Sequence, residues 1–479
     1  MQTQTIRIPI NTSSLADYSK FLECKRLPRY EVQGHEIVTD ADSYRIVFGG
    51  QEGQVLQSEC PHQYDYQQWV CNQALRTKRY AANMDCGLGK TLVVLEWGRQ
   101  VAANRGKVLL LCPLAVMQEF FNDQKKFSID VPLTNLRTSG GTWSEGIGIL
   151  NYESLRDVDM RGVGGIAVDE ASILKNGDGT TRNWLIGLSR GIEYRLLCSA
   201  TPAPNEQAEY ASQAVFLGMV SSSKEFYAKF FRKDGNDWIL KSHARRPFYD
   251  FLKTYSCYIQ NPLDLGFQQG GYLMDEPEYI LLNCSDGGHF TSAKLFSDQT
   301  GLNDLRQIER YRWQKETPRF EAVVEFATAD RSIVWASRNE EEKAFHEAIP
   351  GSKVITGNTP IEQRVEYIDA FRDGQLDCLI SKPKILGFGV NLQQANHHAY
   401  SGYDFSFEKV YQAIRRSHRN GRQGRLRVLF PAIPAELPVY DELSAKMKTF
   451  QTDVQELQRL FAVERSANYT YQLANDCEI

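Results

Sequence analysis

Long apolar runs are missing from this chain. The longest, Val108 to Val116, is interrupted by Pro113 and is too short to cross a bilayer, so no membrane partner is expected. The first residues, Met1-Gln2-Thr3-Gln4-Thr5, lack a basic start followed by an apolar block, and no secretory leader is expected. The 10 cysteines contain no Cys-x-x-Cys pair, which argues against a structural zinc. Cys86, Cys112 and Cys198 lie in or beside apolar strand-like runs and are expected as buried free thiols in a reducing cytoplasm. A surplus of positive charge is also missing. With 55 Lys and Arg against 59 Asp and Glu, the formal charge of −4 counts mildly against a wholly basic nucleic-acid binder. It does not exclude charge gathered on one face. No nuclease cluster is evident. At 479 residues, 42% hydrophobic and 24% charged, the chain can build two or three domains with full cores.

Short apolar runs, continuous rather than alternating, recur along the chain and are separated by helix-length segments. One set comprises Tyr80 to Asp85, Val108 to Cys112, Ile147 to Tyr152, Ile166 to Asp169 and Tyr194 to Ser199. A second comprises Ile333 to Ala336, Lys353 to Thr356, Cys378 to Ser381, His398 to Ser401 and Arg427 to Phe430. Continuous apolar character marks strands covered on both faces, as in parallel sheets with crossover helices. Each set therefore predicts one α/β lobe, and two lobes imply a cleft. Residues 1–57 stand apart, with a helix expected at Ser14 to Leu22 and strands at Tyr30 to Val38 and Ser43 to Phe48. Residues 206–300 break the rhythm and mix aromatics with basic residues, among them Phe226, Tyr227, Lys229, Phe230, Phe231, Arg232, Lys233, Trp238, Arg245 and Arg246. That mixture suits a nucleic-acid-facing insertion, and equally helices with an aromatic core and solvated cations. Arg306 to Arg319 is expected to bridge the lobes.

The most informative stretch is Asn83-Met84-Asp85-Cys86-Gly87-Leu88-Gly89-Lys90-Thr91-Leu92. A glycine-rich turn between strand and helix aims backbone N–H groups and a helix N-terminus at one point, which makes a phosphate cradle. Lys90 would reach the β- and γ-phosphates of ATP, and the Thr91 hydroxyl would ligate Mg²⁺. The strict motif asks for a glycine where this chain has Met84. Asp169-Glu170 ends an apolar run, which puts two carboxylates at the carboxyl edge of a parallel sheet. Asp169 would hold Mg²⁺ and Glu170 would polarise the attacking water, although helix capping explains a lone Asp-Glu equally well. In the second set, Gln412 to Arg422 packs several guanidinium groups into one short helix and its exit. Arg416 and Arg419 share a helix face and could stabilise charge on the transferring phosphoryl group.

In order, Pro61 to Trp69, Asp85 to Thr91, Leu111 to Leu114, Asn151 to Leu155, Asp169 to Asn176, Ser199 to Asn205, Gly387 to Leu392 and Gln412 to Arg422 resemble the motifs of superfamily-two helicases. The resemblance is to the Swi/Snf-type translocase branch, especially compact versions encoded by bacteriophages and prophages and related to DEAD/DEAH-box helicases. It runs from about residue 58 to 450. It implies two tandem RecA-like lobes that hydrolyse ATP to move along nucleic acid. Gln63 would read the adenine edge, with Asp85, Gly87, Leu88, Gly89, Lys90, Thr91, Gly387 and Asn391 at the nucleotide. Lys90, Asp169, Glu170, Arg416 and Arg419 would carry the chemistry, and Ser172, Ser199 and Thr201 would couple it to nucleic-acid grip. Nucleic acid would lie on stretches such as Leu111 to Leu114 and Gly387 to Leu392.

Two departures matter. Ser172 stands where many relatives carry His, and Arg415 where Gly is frequent, which leaves open which arginine acts. The resulting expectation has five parts: a small α+β accessory domain (1–57), an ATP-binding lobe (58–205), a helical insertion and bridge (206–316), a second lobe carrying the arginines (317–450) and a C-terminal helix or tail (451–479). The expected function is a nucleic-acid-stimulated ATPase that tracks along DNA, preferred over RNA, and double-stranded rather than single. The alternatives are a strand-separating helicase, or an ATP-switched adaptor on RNA polymerase or another DNA-bound partner. A protein partner would be sought on 1–57 or 206–300. The expected location is the cytoplasm, that of a bacterial host if phage-encoded.

Overall fold

The computed structural model describes residues 5–10, 24, 27, 29–41, 43–44, 56–152, 154, 158–175, 179–235, 237–267, 275–284, 317–386, 390–402, 406–419 and 422–475. Two compact units emerge: Met1–Gln269 with Gln451–Ile479, and Gly270–Phe450.

The first unit opens with a small antiparallel sheet of β1 (Thr5–Pro9), β2 (Tyr30–Gln33) and β3 (Glu36–Asp40), in the order β1-β3-β2. The expected strand at Tyr30 to Val38 is thus a hairpin, turned at Gly34 (φ 63°). Ser43 and Tyr44 are helical rather than extended, and the expected helix at Ser14 to Leu22 lies outside the described residues.

The main sheet of this unit contains β4 (Arg79–Met84), β5 (Lys107–Cys112), β6 (Leu133–Asn135), β7 (Ile147–Asn151), β8 (Val163–Asp169), β9 (Tyr194–Ser199) and β12 (Ser256–Ile259). The order is β12-β4-β9-β8-β5-β7-β6, and every pairing is parallel. All residues of β7 and β9 are buried, as are all but the first of β4 and β5, which is why these runs read as continuously apolar. The Lys90–Arg105 helix lies close on this sheet. A Cβ at Gly165 would meet Val101 Cγ1 at 2.8 Å, and one at Gly98 would meet Ile147 Cδ1 at 2.5 Å. Trp97, fully buried on the same helix, anchors that contact.

The second unit carries β13 (Glu278–Asn283), β14 (Ser332–Trp335), β15 (Lys353–Ile355), β16 (Cys378–Ser381), β17 (His397–Tyr400) and β18 (Arg427–Ala432), in the order β13-β18-β17-β14-β16-β15 and again all parallel. Its core stacks Phe320 on Phe345 at 4.5 Å. Arg319 is fully buried there, paired with Glu436 and donating to the Ser401 carbonyl at 2.6 Å from Nη2. Of the expected bridge, only 317 onward is described, and Arg319 is a core residue of this unit. The fold is therefore two parallel-sheet α/β units.

The range 206–316 was expected to be helical. It does contain the helices Tyr210–Leu217, Ser223–Phe230 and Arg245–Lys253, but also a hairpin of β10 (Phe231–Asp234) and β11 (Asp237–Leu240). In addition it supplies an edge strand to each main sheet, β12 to the first and β13 to the second. The short runs Ser-Cys-Tyr-Ile and Glu-Tyr-Ile-Leu-Leu-Asn gave little periodicity to separate strand from helix.

Candidate active site

β4 ends at Met84, and the Lys90–Arg105 helix begins six residues later. Between them the chain passes through two left-handed glycines, Gly87 (φ 83°) and Gly89 (φ 76°). That conformation costs an L-residue about 1–2 kcal/mol. Gly89 is needed for a second reason: a Cβ there would sit 2.2 Å from Gln67 Nε2. Met84, which replaces the expected first glycine, is the buried last residue of β4 and takes no part in the turn. Lys90 Nζ donates to the Met84 carbonyl (2.9 Å) and the Asp85 carbonyl (3.2 Å), so the lysine lies folded along the loop on neutral acceptors. The buried Asp85 accepts the Cys86 N–H at 2.7 Å and braces the loop from within. Lys90 and Thr91, in the helix's first turn, have no helical carbonyl four residues back for their N–H groups. Backbone donors and a lysine thus gather at one helix start, the arrangement that receives phosphates.

Gln63 sits beside this helix start. Its Oε1 accepts from the Ser58 hydroxyl at 2.5 Å, and its Nε2 donates to the Leu92 carbonyl at 3.4 Å. Two residues missed in the sequence touch the loop more closely. Tyr66 Oη and Gln67 Nε2 both donate to the Leu88 carbonyl, at 3.1 and 2.9 Å. Both lie inside the Pro61 to Trp69 stretch singled out in the sequence, on the helix that begins at Asp65, after Gln63.

β8 lies two places from β4, with β9 between them. The carboxyl ends of these three strands carry the loop, Asp169-Glu170 and Ser199-Ala200-Thr201. Asp169 is 7% exposed and ends β8. Burial, and next the Asp169 charge, push the thiols of Cys112 and Cys198 and the phenol of Tyr152 above their usual ranges. Lys90 acts on Cys198 in the opposite sense, so both charges act on one thiol. The Tyr152 hydroxyl donates to the Asp169 carbonyl, which fixes the end of β8. An aspartate and a threonine hydroxyl are hard oxygen donors and fit Mg²⁺, which takes few protein ligands and keeps water. Among the described residues there is no cluster of three or more His, Cys, Asp or Glu that could hold a metal ion on its own.

Glu170 adopts a left-handed conformation (φ 56°, ψ 61°) ahead of the short turn Ala171–Leu174, and its side chain makes no capping hydrogen bond to that turn. Capping therefore does not account for Glu170. Backbone strain on a non-glycine acid at a sheet edge is the kind of cost that concentrates at working sites. Ser172 is buried in that turn. Ser199 Oγ accepts the Thr201 N–H at 3.1 Å, and both residues are fully buried. This segment is held from two sides: Tyr258 Oη of β12 donates to the Ala200 carbonyl (3.0 Å), and Gln213 Nε2 to the Pro202 carbonyl (2.6 Å).

In the second unit Arg415, Arg416, Arg419 and Arg422 follow the helix Phe407–Ile414. Arg415 Nε donates to Tyr411 Oη at 3.2 Å and Arg415 Nη1 contacts His418 Nδ1 at 2.5 Å, so this guanidinium is engaged within its own helix exit. Arg422 is engaged likewise, donating to the carbonyls of Gln393 and Ala395. Arg416 is buried and Arg419 half-buried. The Arg416 backbone is tied to the stretch after β16, since its carbonyl accepts the Leu392 N–H at 2.9 Å. Behind it runs a buried chain: Trp335 Nε1–H donates to His398 Nδ1 (3.2 Å), His398 Nε2 meets Ser417 Oγ (2.8 Å), and Ser417 donates to the Leu392 carbonyl (2.7 Å). Because an indole only donates, His398 carries its proton on Nε2. Asn391 Oδ1 accepts the Gln393 N–H at 3.3 Å. Gly387 lies outside the described residues.

At the carboxyl ends of β15 and β16 a cavity of about 670 Å³ is lined by Lys343, His346, Thr356, Asn358, Lys382 and Lys384, among others. Among the described aromatics of the 206–300 stretch, Phe226, Phe230, Phe231, Phe248 and Phe251 are buried and pack on one another, whereas Tyr227 and Trp238 are half-buried and stack on each other at 4.5 Å. Arg232, Lys233, Arg245 and Arg246 are exposed, which both readings of this stretch allow. Among the described residues no helix is long and apolar enough to cross a membrane, and no described cysteine is in a disulfide.

No curated protein matches this chain. Among solved structures it is similar to a Sulfolobus solfataricus SWI2/SNF2 ATPase core in complex with dsDNA, at 17% identity and a TM-score of 0.40, over 85% of this chain and 96% of that one. Residues 319–421, which span Asn391 and the Arg415 to Arg419 segment, match the family described as the helicase conserved C-terminal domain.

Proposed function

We propose that the protein is an ATP-dependent nucleic-acid translocase of the superfamily-two helicase type, acting on DNA and preferentially on duplex. The observation that carries this reading is the joint placement of the Gly87–Thr91 loop, Asp169-Glu170 and Ser199-Ala200-Thr201 at the ends of three neighbouring strands, in a chain whose residues 319–421 match a helicase domain. In this reading residues 58–205, with the edge strand β12, form the ATP-binding lobe, and 317–450, with the edge strand β13, the lobe that supplies arginines.

The loop N–H groups and Lys90 grip the β- and γ-phosphates, Gln63 meets the adenine, and Thr91 and Asp169 would hold Mg²⁺. The metal ion, when bound, neutralises charge on the phosphates. Glu170 orients the water for attack on the γ-phosphorus. Arg416 and Arg419 stabilise the charge that develops on the phosphoryl oxygens. Ser199 and Thr201, in a segment held through Ala200 by Tyr258 and through Pro202 by Gln213, relay the state of the site to the nucleic-acid grip. The lysines around the second unit's cavity suit phosphodiester oxygens.

ATPase rate measured with blunt duplex DNA, single-stranded DNA and RNA tests the reading, combined with displacement of a triplex-forming strand. Stimulation by duplex with triplex displacement supports a translocase. Fork unwinding without triplex displacement would favour the strand-separating alternative, and an ATPase indifferent to every nucleic acid would refute the proposal.

A further inference from the structure

The Leu88 carbonyl receives two side-chain hydrogen bonds, both from the Asp65–Thr77 helix. Gln67 Nε2 donates to it at 2.9 Å and to Tyr66 Oη at 3.3 Å, while Tyr66 Oη donates its own proton to the same carbonyl at 3.1 Å. The proton count closes: two amide hydrogens and one hydroxyl hydrogen meet three acceptor positions. Gln67 Oε1 in turn accepts the Tyr64 N–H at 2.9 Å, which holds the amide in this orientation. Both side chains are buried, Tyr66 at 0% and Gln67 at 4% exposure. The Tyr66 ring is fixed edge-on against Phe267, with centroids 6.1 Å apart.

A peptide unit is planar and trans, so its C=O and N–H point in opposite directions. Holding the Leu88 carbonyl toward the Asp65–Thr77 helix turns the Gly89 N–H away from that helix. We infer that Tyr66 and Gln67 are positioning residues that aim the Gly89 N–H at the terminal phosphates of the nucleotide. The inference rests on the nucleotide reading of this unit. A side chain that only packed the helix against the sheet would not need to converge on one loop carbonyl. Nor would it leave Gly89 without room for a Cβ. Orientation set before the ligand arrives is what makes a backbone donor effective on a phosphate.

The test uses the full chain with Tyr66→Phe, Gln67→Glu, Gln67→Met and the double variant Tyr66→Phe/Gln67→Met. Glu keeps the acceptor for the Tyr64 N–H and loses the donors; Met loses both without adding charge. Affinities for ATP, ADP and AMP are read by competition against a fluorescent adenine nucleotide, with the unfolding midpoint from calorimetry. Each single variant should weaken ATP and ADP by about three- to tenfold, the size of one neutral hydrogen bond. The double variant should exceed the product of its singles, because either donor alone still holds the carbonyl. AMP, without β- and γ-phosphates, should stay within about twofold. Equal losses for all three nucleotides, or an unaltered double variant, would overturn the inference. So would a loss seen with Glu and not with Met, since charge repulsion would then account for it. Failure of the unaltered chain to bind ATP at all would overturn the nucleotide reading itself, and this inference with it.

Discussion

Replacing Gly89 by alanine concentrates several costs at one atom. The residue sits at φ 76°, where an L side chain is strained by about 1–2 kcal/mol. The new methyl would lie 2.2 Å from Gln67 Nε2 and 3.3 Å from Gln67 Cδ, well inside contact distance. Overpacking of this kind costs about 1–3 kcal/mol where the neighbour cannot move. Gln67 is poorly placed to move, because its amide is bonded at both ends. If it yields, the Leu88 carbonyl loses that hydrogen bond, at about 0.5–1.5 kcal/mol. If the loop yields, its N–H groups leave the phosphates. With the backbone strain, the route in which Gln67 yields costs about 1.5–3.5 kcal/mol, or roughly ten- to three-hundredfold in an equilibrium constant. Part of it should appear as lost ATP affinity in titration calorimetry, and part as a lower unfolding midpoint of the first unit in scanning calorimetry. A Gly89→Ala protein with wild-type ATP affinity and midpoint would refute the steric argument and the role given to Gln67.

Other substitutions separate function from stability. Glu170→Gln should leave ATP binding intact and reduce turnover by several orders of magnitude, whereas Glu170→Gly should do the same and also raise the unfolding midpoint, since glycine relieves the left-handed strain of about 1 kcal/mol; near-normal turnover in either would remove Glu170 from the chemistry. Arg416→Ala and Arg419→Ala should cut kcat by about a hundredfold or more with little change in nucleotide affinity, while Arg415→Ala should chiefly destabilise the second unit, because its guanidinium is engaged with Tyr411 and His418; steady-state kinetics beside thermal unfolding tells these apart. Burial, with nearby cations next, lowers His398 to about 3 and His418 to about 4. Both are depressed in the folded state, so their contribution is full above the unfolded value near 6.5 and is lost as pH falls toward 4 and 3. Calorimetry from pH 7 to 4 should show the second unit weakening by a few kcal/mol, and His418→Gln should flatten part of that slope; an unchanged slope in the variant would exclude the histidine.

Much of the architecture was legible because buried parallel strands write a simple signature. Cys378–Ser381 and Tyr194–Ser199 coincide with the runs read from the sequence, and the other expected strands of both main sheets fall within a few residues. What escaped had no such signature. β12 is fully buried but reads Ser-Cys-Tyr-Ile, with a single aliphatic residue, and β13 leaves Tyr279, Leu281 and Leu282 exposed, so neither reads as a core strand in the sequence. The aromatic and basic stretch around Phe226 was ambiguous because burial, which separates a core phenylalanine from a stacking platform, depends on neighbours distant in sequence. The same limit hid Tyr66, Gln67 and Tyr258. Each touches a motif through one hydrogen bond to backbone, and a backbone acceptor leaves no trace in residue identity. By contrast the loop, Asp169-Glu170 and the arginine segment announced themselves, because their chemistry needs particular side chains at fixed spacing.

The distribution of cost in the first unit argues independently of any motif. Its sheet interior is apolar and paired, as foldability requires. At the carboxyl ends of β4, β8 and β9 that consistency breaks. Glu170 is held in a left-handed conformation, the Thr201 hydroxyl is buried without a partner, and the Asn83 amide, one residue from the end of β4, is fully buried with neither its oxygen nor its nitrogen bonded. Trp97, Trp143 and Tyr255 also bury a lone polar atom, but each carries a large ring whose burial offsets it, and Arg29, Asn151 and Gln213 bury one polar atom each while bonding through another. Asn83 has no such compensation, and one unsatisfied buried polar group costs about 1–3 kcal/mol. Three separate penalties on three neighbouring strands, all at one edge, are not what packing alone would select. Local rules tend to be broken where a site must change its bonding during its cycle. The edge that carries the phosphate loop and the acidic pair is therefore also where this unit is least settled, and that is where a hydrolysis-linked rearrangement would have to begin.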